Sequence, residues 1–334
     1  MSLADGLAAV AWIGVTCYAL FGGADFGAGF WDLVAGGARR GAAQRRLIEH
    51  SIGPVWEANH VWLIFVLVVM WTCFPPLFAA VSSTLWMPLT LAAFGVIIRG
   101  SAFAFRKTVT QTWQRRIFGA AFAASSVITP FFLGAAAGAV ASGRVPPGNG
   151  AGQPVASRWN PVSVMTGILA VVACAYLAAV YLTADARRAG DAALVAQFRW
   201  RALAAGVAAG AVAASGLLFL HQDASVLYHG LLHRGLPLVI ISAIAGIVSL
   251  GLLYRRHFLT ARLTAALAVT AVLWAWAAAQ YPNLLNPGLT ISRAAADRPV
   301  LVATLASLGA GAVLLVPSLA WLYILFQRTT TSDS

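Results

Sequence analysis

The chain has 334 residues, 60% of them hydrophobic and 10% charged, with a mean hydropathy of +0.81, which excludes a soluble domain, a disordered chain and a collagen-like repeat. Its net charge of +12 comes from 22 Lys and Arg against 10 Asp and Glu, and in so apolar a chain basic residues mark the cytoplasmic ends of spans rather than a nucleic-acid surface. No nucleic-acid partner is expected.

A span needs about 20 mainly apolar residues to cross ~30 Å of hydrocarbon. Apolar runs bounded by charge, Gly or Pro fall at about 7–30, 52–73, 85–105, 117–141, 162–183, 203–220, 236–254, 263–281 and 300–326. The chain therefore reads as all-α, one integral membrane domain of nine transmembrane helices over 1–334. No alternation of period 2 suggests a β-barrel. The first run has no basic segment before it and is predicted to persist as a span rather than to be cleaved. Between the first two runs, 41–50 suits a short amphipathic helix at the membrane surface. The segments 143–157, 224–235 and 282–298 are short connections, the first rich in turn residues, and none is large enough for a substrate-binding domain. No internal repeat is visible.

Sorted by loop, the basic residues place 17 of 22 on one side, including Arg39, Arg40, Arg45, Arg46, Arg106, Lys107, Arg115 and Arg116. The other side holds Arg144, Arg158, Arg234, Arg293 and Arg298. This asymmetry predicts an odd number of spans, with the N-terminus outside and the C-terminus cytoplasmic. Cys17, Cys73 and Cys174 lie in apolar runs without a C-x-x-C, so neither a disulfide framework nor covalent haem is indicated.

Acids inside spans are costly, about +2.5 to 3.5 kcal/mol at a helix centre, and each is a functional candidate. Asp25 and Glu57 are the two clear cases. Asp25 stands in Gly22-Gly23-Ala24-Asp25-Phe26-Gly27-Ala28-Gly29, where Gly23 and Gly27 allow another backbone close and turn the acid toward protein. Glu57 stands in Gly53-Pro54-Val55-Trp56-Glu57-Ala58-Asn59-His60-Val61-Trp62, with Pro54 at the first turn, where its missing N–H costs least. Both enter the membrane from the predicted inner side, a geometry suited to proton uptake. His60 shares the helix face of Glu57 and is a candidate relay, against the plainer reading of a hydrogen-bonded pair fixing helix packing. Arg99 is the candidate counter-ion, against snorkelling to headgroups. Asp32, at the end of the first span, reads as interfacial. His60 alone cannot hold a haem between two imidazoles, because the other histidines lie in loops or at span ends; no metal or haem ligation is expected of this chain.

The stretches Gly22–Gly29, Ser51–Trp62, Arg99–Lys107 (R-G-S-A-F-A-F-R-K) and the closing 282–328 region, with Asn286-Pro287 and Leu289-Thr290, resemble subunit II of the cytochrome bd-type quinol oxidases. The resemblance covers essentially the whole chain. It implies a heterodimer with a similar, haem-bearing subunit I that carries haems b and d and the quinol site, in a bacterial cell membrane. The complex oxidises quinol and reduces O2 to water in the respiratory chain. It further implies that Glu57 and Asp25 are acids of a proton path, that Trp62 lines oxygen access, that a structural quinone or a small accessory subunit can accompany subunit II, and that this chain alone is inactive. Gly22 and Ala104 stand where many members carry acids, and the G-G-A-D form is closer to the cyanide-insensitive branch. The competing reading from residue chemistry alone is a proton-coupled secondary transporter with Asp25 and Glu57 as coupling carboxylates at a helix broken near 22–29.

Overall fold

The computed structural model describes residues 2–37, 40–52, 56–109, 111–286 and 288–329. The first span is one rod: α1 (Leu3–Cys17), a π-helical turn at Tyr18–Gly22, then α2 (Gly23–Leu33). Ser2 starts it as an N-cap, its hydroxyl accepting the Asp5 N–H while the Asp5 carboxylate accepts the Ser2 N–H. The predicted surface helix is α3 (Ala42–Ile52), with Leu47 and Ile48 buried. There follow α4 (Trp56–Cys73), α5 (Pro75–Thr84), α6 (Trp86–Thr108), α7 (Thr112–Ala141), α8 (Pro161–Arg188), α9 (Ala192–Asp223), α10 (Ser225–His233), α11 (Leu236–Tyr254) and α12 (Phe258–Gln280). A two-stranded antiparallel hairpin, β1 (Asn283–Leu285) and β2 (Leu289–Thr290), then leads through α13 (Ile291–Ala294) into α14 (Arg298–Thr329).

Among the described residues seven helices are long and apolar enough to cross a membrane, or up to eight if the bent pair α4–α5 is one span. Several spans outrun their apolar windows because their terminal arginines are satisfied within the protein. Thus α9 begins at Ala192 rather than 203, since Arg199 donates to the carbonyls of Leu253 and Tyr254, while Arg201 reaches Gln44 and lies over the rings of Trp31 and Phe198. Two connections expected as plain loops carry structure. The segment 224–235 forms α10, whose Leu227 and Leu231 are buried in one cluster with Ala275 and Ala279 of α12, and 282–298 forms the hairpin and α13.

A likeness within the chain appears that the sequence does not show. Phe74 (φ −135°, ψ 59°) ends α4 and Ala224 (φ −140°, ψ 53°) ends α9 in the same conformation, and each starts a short helix, α5 or α10, before the next long one. The α4–α5 bend is 118°. Leu77 and Leu227 are the buried anchors of the two short helices, and Pro88 and Pro237 stand in the first turns of α6 and α11. Apart from these anchors the two units share little sequence, because the break needs only a non-helical residue and one apolar anchor.

At the centre stands α8, with Ala175, Leu177, Ala178, Ala179 and Val180 all buried, packed between α2, α7 and α9. Small residues let these helices meet at main-chain distance. A Cβ on Gly27 would overlap the Cys174 carbonyl oxygen of α8, and one on Gly29 would overlap Ser126 Oγ of α7. Gly27→Ala is therefore expected to destabilise the folded protein by about 1–3 kcal/mol through overpacking. Gly246→Ala, where nothing lies within 4 Å, should be neutral or stabilising by up to ~1 kcal/mol. Thermal unfolding in detergent checks both, and equal stabilities would show that the α2–α8 approach carries no constraint.

Candidate functional site

Helix geometry turns Asp25 away from the glycines. Gly23 and Gly27 face α8, where a Cβ on Gly23 would stand 3.4 Å from Cys174 Sγ, and a residue two positions on is rotated by about 200°. Asp25 thus points toward α4. There Asn59 Nδ2 donates to Asp25 Oδ2 at 2.5 Å and also reaches the Phe21 carbonyl at 3.5 Å. That carbonyl lies in the π-helical turn, whose wider winding displaces the ordinary pattern of main-chain bonds. Asp25 is 5% exposed.

From α6, Arg99 reaches the same spot. Its NH2 group donates to the Asp25 main-chain carbonyl at 2.9 Å, and Nε donates to Ser126 Oγ at 3.1 Å. The guanidinium carbon lies 4.9 Å from the Phe26 ring centroid and 5.0 Å from that of Phe122. At 1% exposure Arg99 does not snorkel to the headgroups. Its charge is instead held by two donated bonds and two aromatic faces, an arrangement suited to a planar guanidinium. Ser126 in turn donates to the Phe122 carbonyl at 2.7 Å.

His60 packs its ring 6.2 Å from that of Tyr18 and 6.0 Å from that of Phe26. The structure thus brings His60, Asp25 and Arg99 together around Phe26. Trp62, half-buried, makes an edge contact with Phe65 at 6.2 Å. Glu57 is in the first turn of α4, but its side chain lies outside the described residues, as do residues 53–55 with Pro54. Asp32 is buried, and its carboxylate accepts from Arg45 Nε at 2.7 Å, tying α2 to α3 at the span's end.

Asn59 and Ser126 belong to this cluster and were not singled out from the sequence. For Asn59 the signal was present: an amide inside a span, two residues from an acid, needs a buried partner. Ser126 gave none, since a serine in a helix usually bonds its own chain, as this one also does.

Comparison with known proteins gives relatives of one kind. Over 112 residues the chain is 31% identical to cytochrome bd ubiquinol oxidase subunit 2 of Bacillus subtilis (strain 168), covering 34% of this chain and 32% of that protein. Over 126 residues it is 27% identical to cytochrome bd-I ubiquinol oxidase subunit 2 of Escherichia coli (strain K12), covering 38% and 32%. The chain thus aligns with about a third of the length of these relatives. The fold matches a chain of the bd oxidase from Geobacillus thermodenitrificans with TM-score 0.78 and 27% identity, over 98% of this chain and 99% of that one. With its long apolar helices, the chain is a multi-pass cell-membrane protein. Residues 3–326 match the family model of cytochrome bd terminal oxidase subunit II, and the chain belongs to that family.

Proposed function

We propose that this chain is the haem-free subunit II of a bacterial bd-type quinol oxidase, paired with a haem-bearing subunit I and contributing to proton uptake from the cytoplasm and to oxygen access. The observation that carries this reading is the buried Asp25–Asn59–Arg99–Ser126 cluster between α2, α4, α6 and α7. An acid kept inside a membrane protein, with hydrogen-bonded neighbours fixing its position, fits a proton-carrying group better than it fits plain packing. Asp25 lies eight residues before Leu33, about 12 Å along the helix from the predicted inner end. Glu57, in the first turn of α4, is expected to enter from the same inner boundary, and His60 lies beside the cluster. Arg99 holds compensating positive charge nearby, and Trp62 stands two residues past His60 on α4.

The residues of this chain do not suit a haem of its own. His60 is flanked by Tyr18 and Phe26; His50, His221, His233 and His257 lie at or near helix ends, and His229, itself exposed, lies on the short α10. The haems b and d would sit in subunit I and carry electrons from quinol to O2. This chain's side chains would hold and move protons, exclude water and support the partner. By the same resemblance, a structural quinone or a small accessory subunit can accompany this assembly. Nine spans, counted from the apolar runs, and an outside N-terminus, read from the basic-residue asymmetry, belong to the same reading. Against the transporter alternative, the first span is widened at Tyr18–Gly22 but not broken, so it lacks the interrupted helix that such sites use.

In the assembled, purified complex, Glu57→Gln and Asp25→Asn are expected to lower quinol oxidation about tenfold or more while haem content stays unchanged, because each removes a proton carrier and keeps the shape. Unchanged turnover in both would sink the proton-path role. Trp62→Ala should raise the oxygen concentration needed for half-maximal uptake, whereas an unaltered oxygen dependence would assign the ring to packing. Arg99→Lys should lower stability by about 2–4 kcal/mol in thermal unfolding, since an ammonium cannot bridge Asp25 and Ser126 while lying over both rings. A wild-type melting curve would show that charge alone suffices.

A further inference from the structure

Far from the acidic cluster, the end of the bundle formed by α10 and the hairpin carries a cleft of about 440 Å³ between α10, the last turn of α12 and β1. Its position follows from glycines. A Cβ on Gly230 would overlap the Ala279 carbonyl oxygen, and one on Gly235 would stand 2.9 Å from the Ala275 carbonyl oxygen, so α10 lies directly on α12. His229 and His233, one helical turn apart on α10, both line this cleft and both are exposed.

We infer that His229 and His233 are the two protein ligands of a surface site for a divalent transition-metal ion. Imidazoles at i and i+4 project from one helix face, the spacing by which helices present paired nitrogen ligands. A second observation concerns the tautomer. His229 Nδ1 lies 2.7 Å from the Ser225 carbonyl oxygen, a contact only an Nδ1–H can make favourably, and this leaves the Nε2 lone pair for a ligand. That is the outer contact by which metal-binding histidines are commonly oriented.

The cleft's chemistry selects the ion. Its lining contains no carboxylate and no thiolate, which disfavours Ca²⁺ and Mg²⁺ and a closed structural zinc site. Imidazole donors suit Cu²⁺, Ni²⁺ and Zn²⁺, with water in the remaining positions. Arg234 also lines the cleft, where its guanidinium donates to the Tyr281 carbonyl. Its positive charge lowers the affinity for a bare cation and favours an anion among the non-protein ligands. The site is thus a moderate-affinity, exchangeable one.

The test is Zn²⁺ binding by equilibrium dialysis to the native complex, purified through a tag without histidine. Wild type should bind one Zn²⁺ that His229→Ala and His233→Ala each weaken about tenfold or more. His257→Ala, before α12 at the other end of that helix, should leave that binding unchanged. Both substituted histidines are exposed, so the variants are expected to melt like wild type, and this is measured alongside. Wild-type Zn²⁺ affinity in His229→Ala and His233→Ala, or an equal loss in His257→Ala, overturns the assignment.

Discussion

A side chain on Gly27 would occupy the space of the Cys174 carbonyl oxygen, and much of the molecule's arrangement follows from that one approach of α2 to α8. Lipid offers no hydrophobic force to press helices together, so association in the membrane depends on how closely backbones can pack. With Gly23 and Gly27 against α8 and Gly29 against α7, the rotation of α2 about its axis is fixed. Asp25 is then directed at α4, where Asn59 meets it. The glycines thus decide which neighbours the acid has.

A buried charge in this setting survives only if its polar groups are satisfied. Arg99 shows how: each donated bond goes to a group already anchored in a helix, the Asp25 carbonyl on α2 and the Ser126 hydroxyl on α7. The two phenyl rings fill the remaining faces. One guanidinium therefore cross-links three helices at the depth where the acid lies. Under the proposed proton-path role, these bonds would hold the carboxylate at a fixed distance from the next carrier.

The two ends of the bundle solve different problems. At one end, long helices run out into arginines that cap neighbouring carbonyls or pair with Asp32 and Asp185, and the amphipathic α3 lies against α2 and α8. At the other, short helices and a hairpin fold back over the helix ends. Their apolar residues, among them Leu77, Leu285, Leu289 and Ile291, close a separate small core. Repeating the same break at Phe74 and Ala224 seals that end twice with different sequences.

What was legible in the sequence, and what was not, divides along the range of the forces involved. Most span positions, the surface helix at 41–50 and the buried acid Asp25 could be read directly, since hydropathy over about 20 residues and the cost of burying charge act locally. The family-bearing stretches were legible for the same reason: each is contiguous. Span ends were misjudged where Arg199 and Arg201 find partners 54 and 157 residues away, and α10 was taken for a loop because its burial depends on α12. Asn59 and Ser126 entered the site only through helices brought together by distant glycines. By itself, then, the sequence determined that this is a bundle of membrane helices with an acid, Asp25, inside a span. Only the tertiary structure decided which polar groups Asp25 and Arg99 would meet, because a helix's rotation is set by its contacts with neighbours far away in the chain.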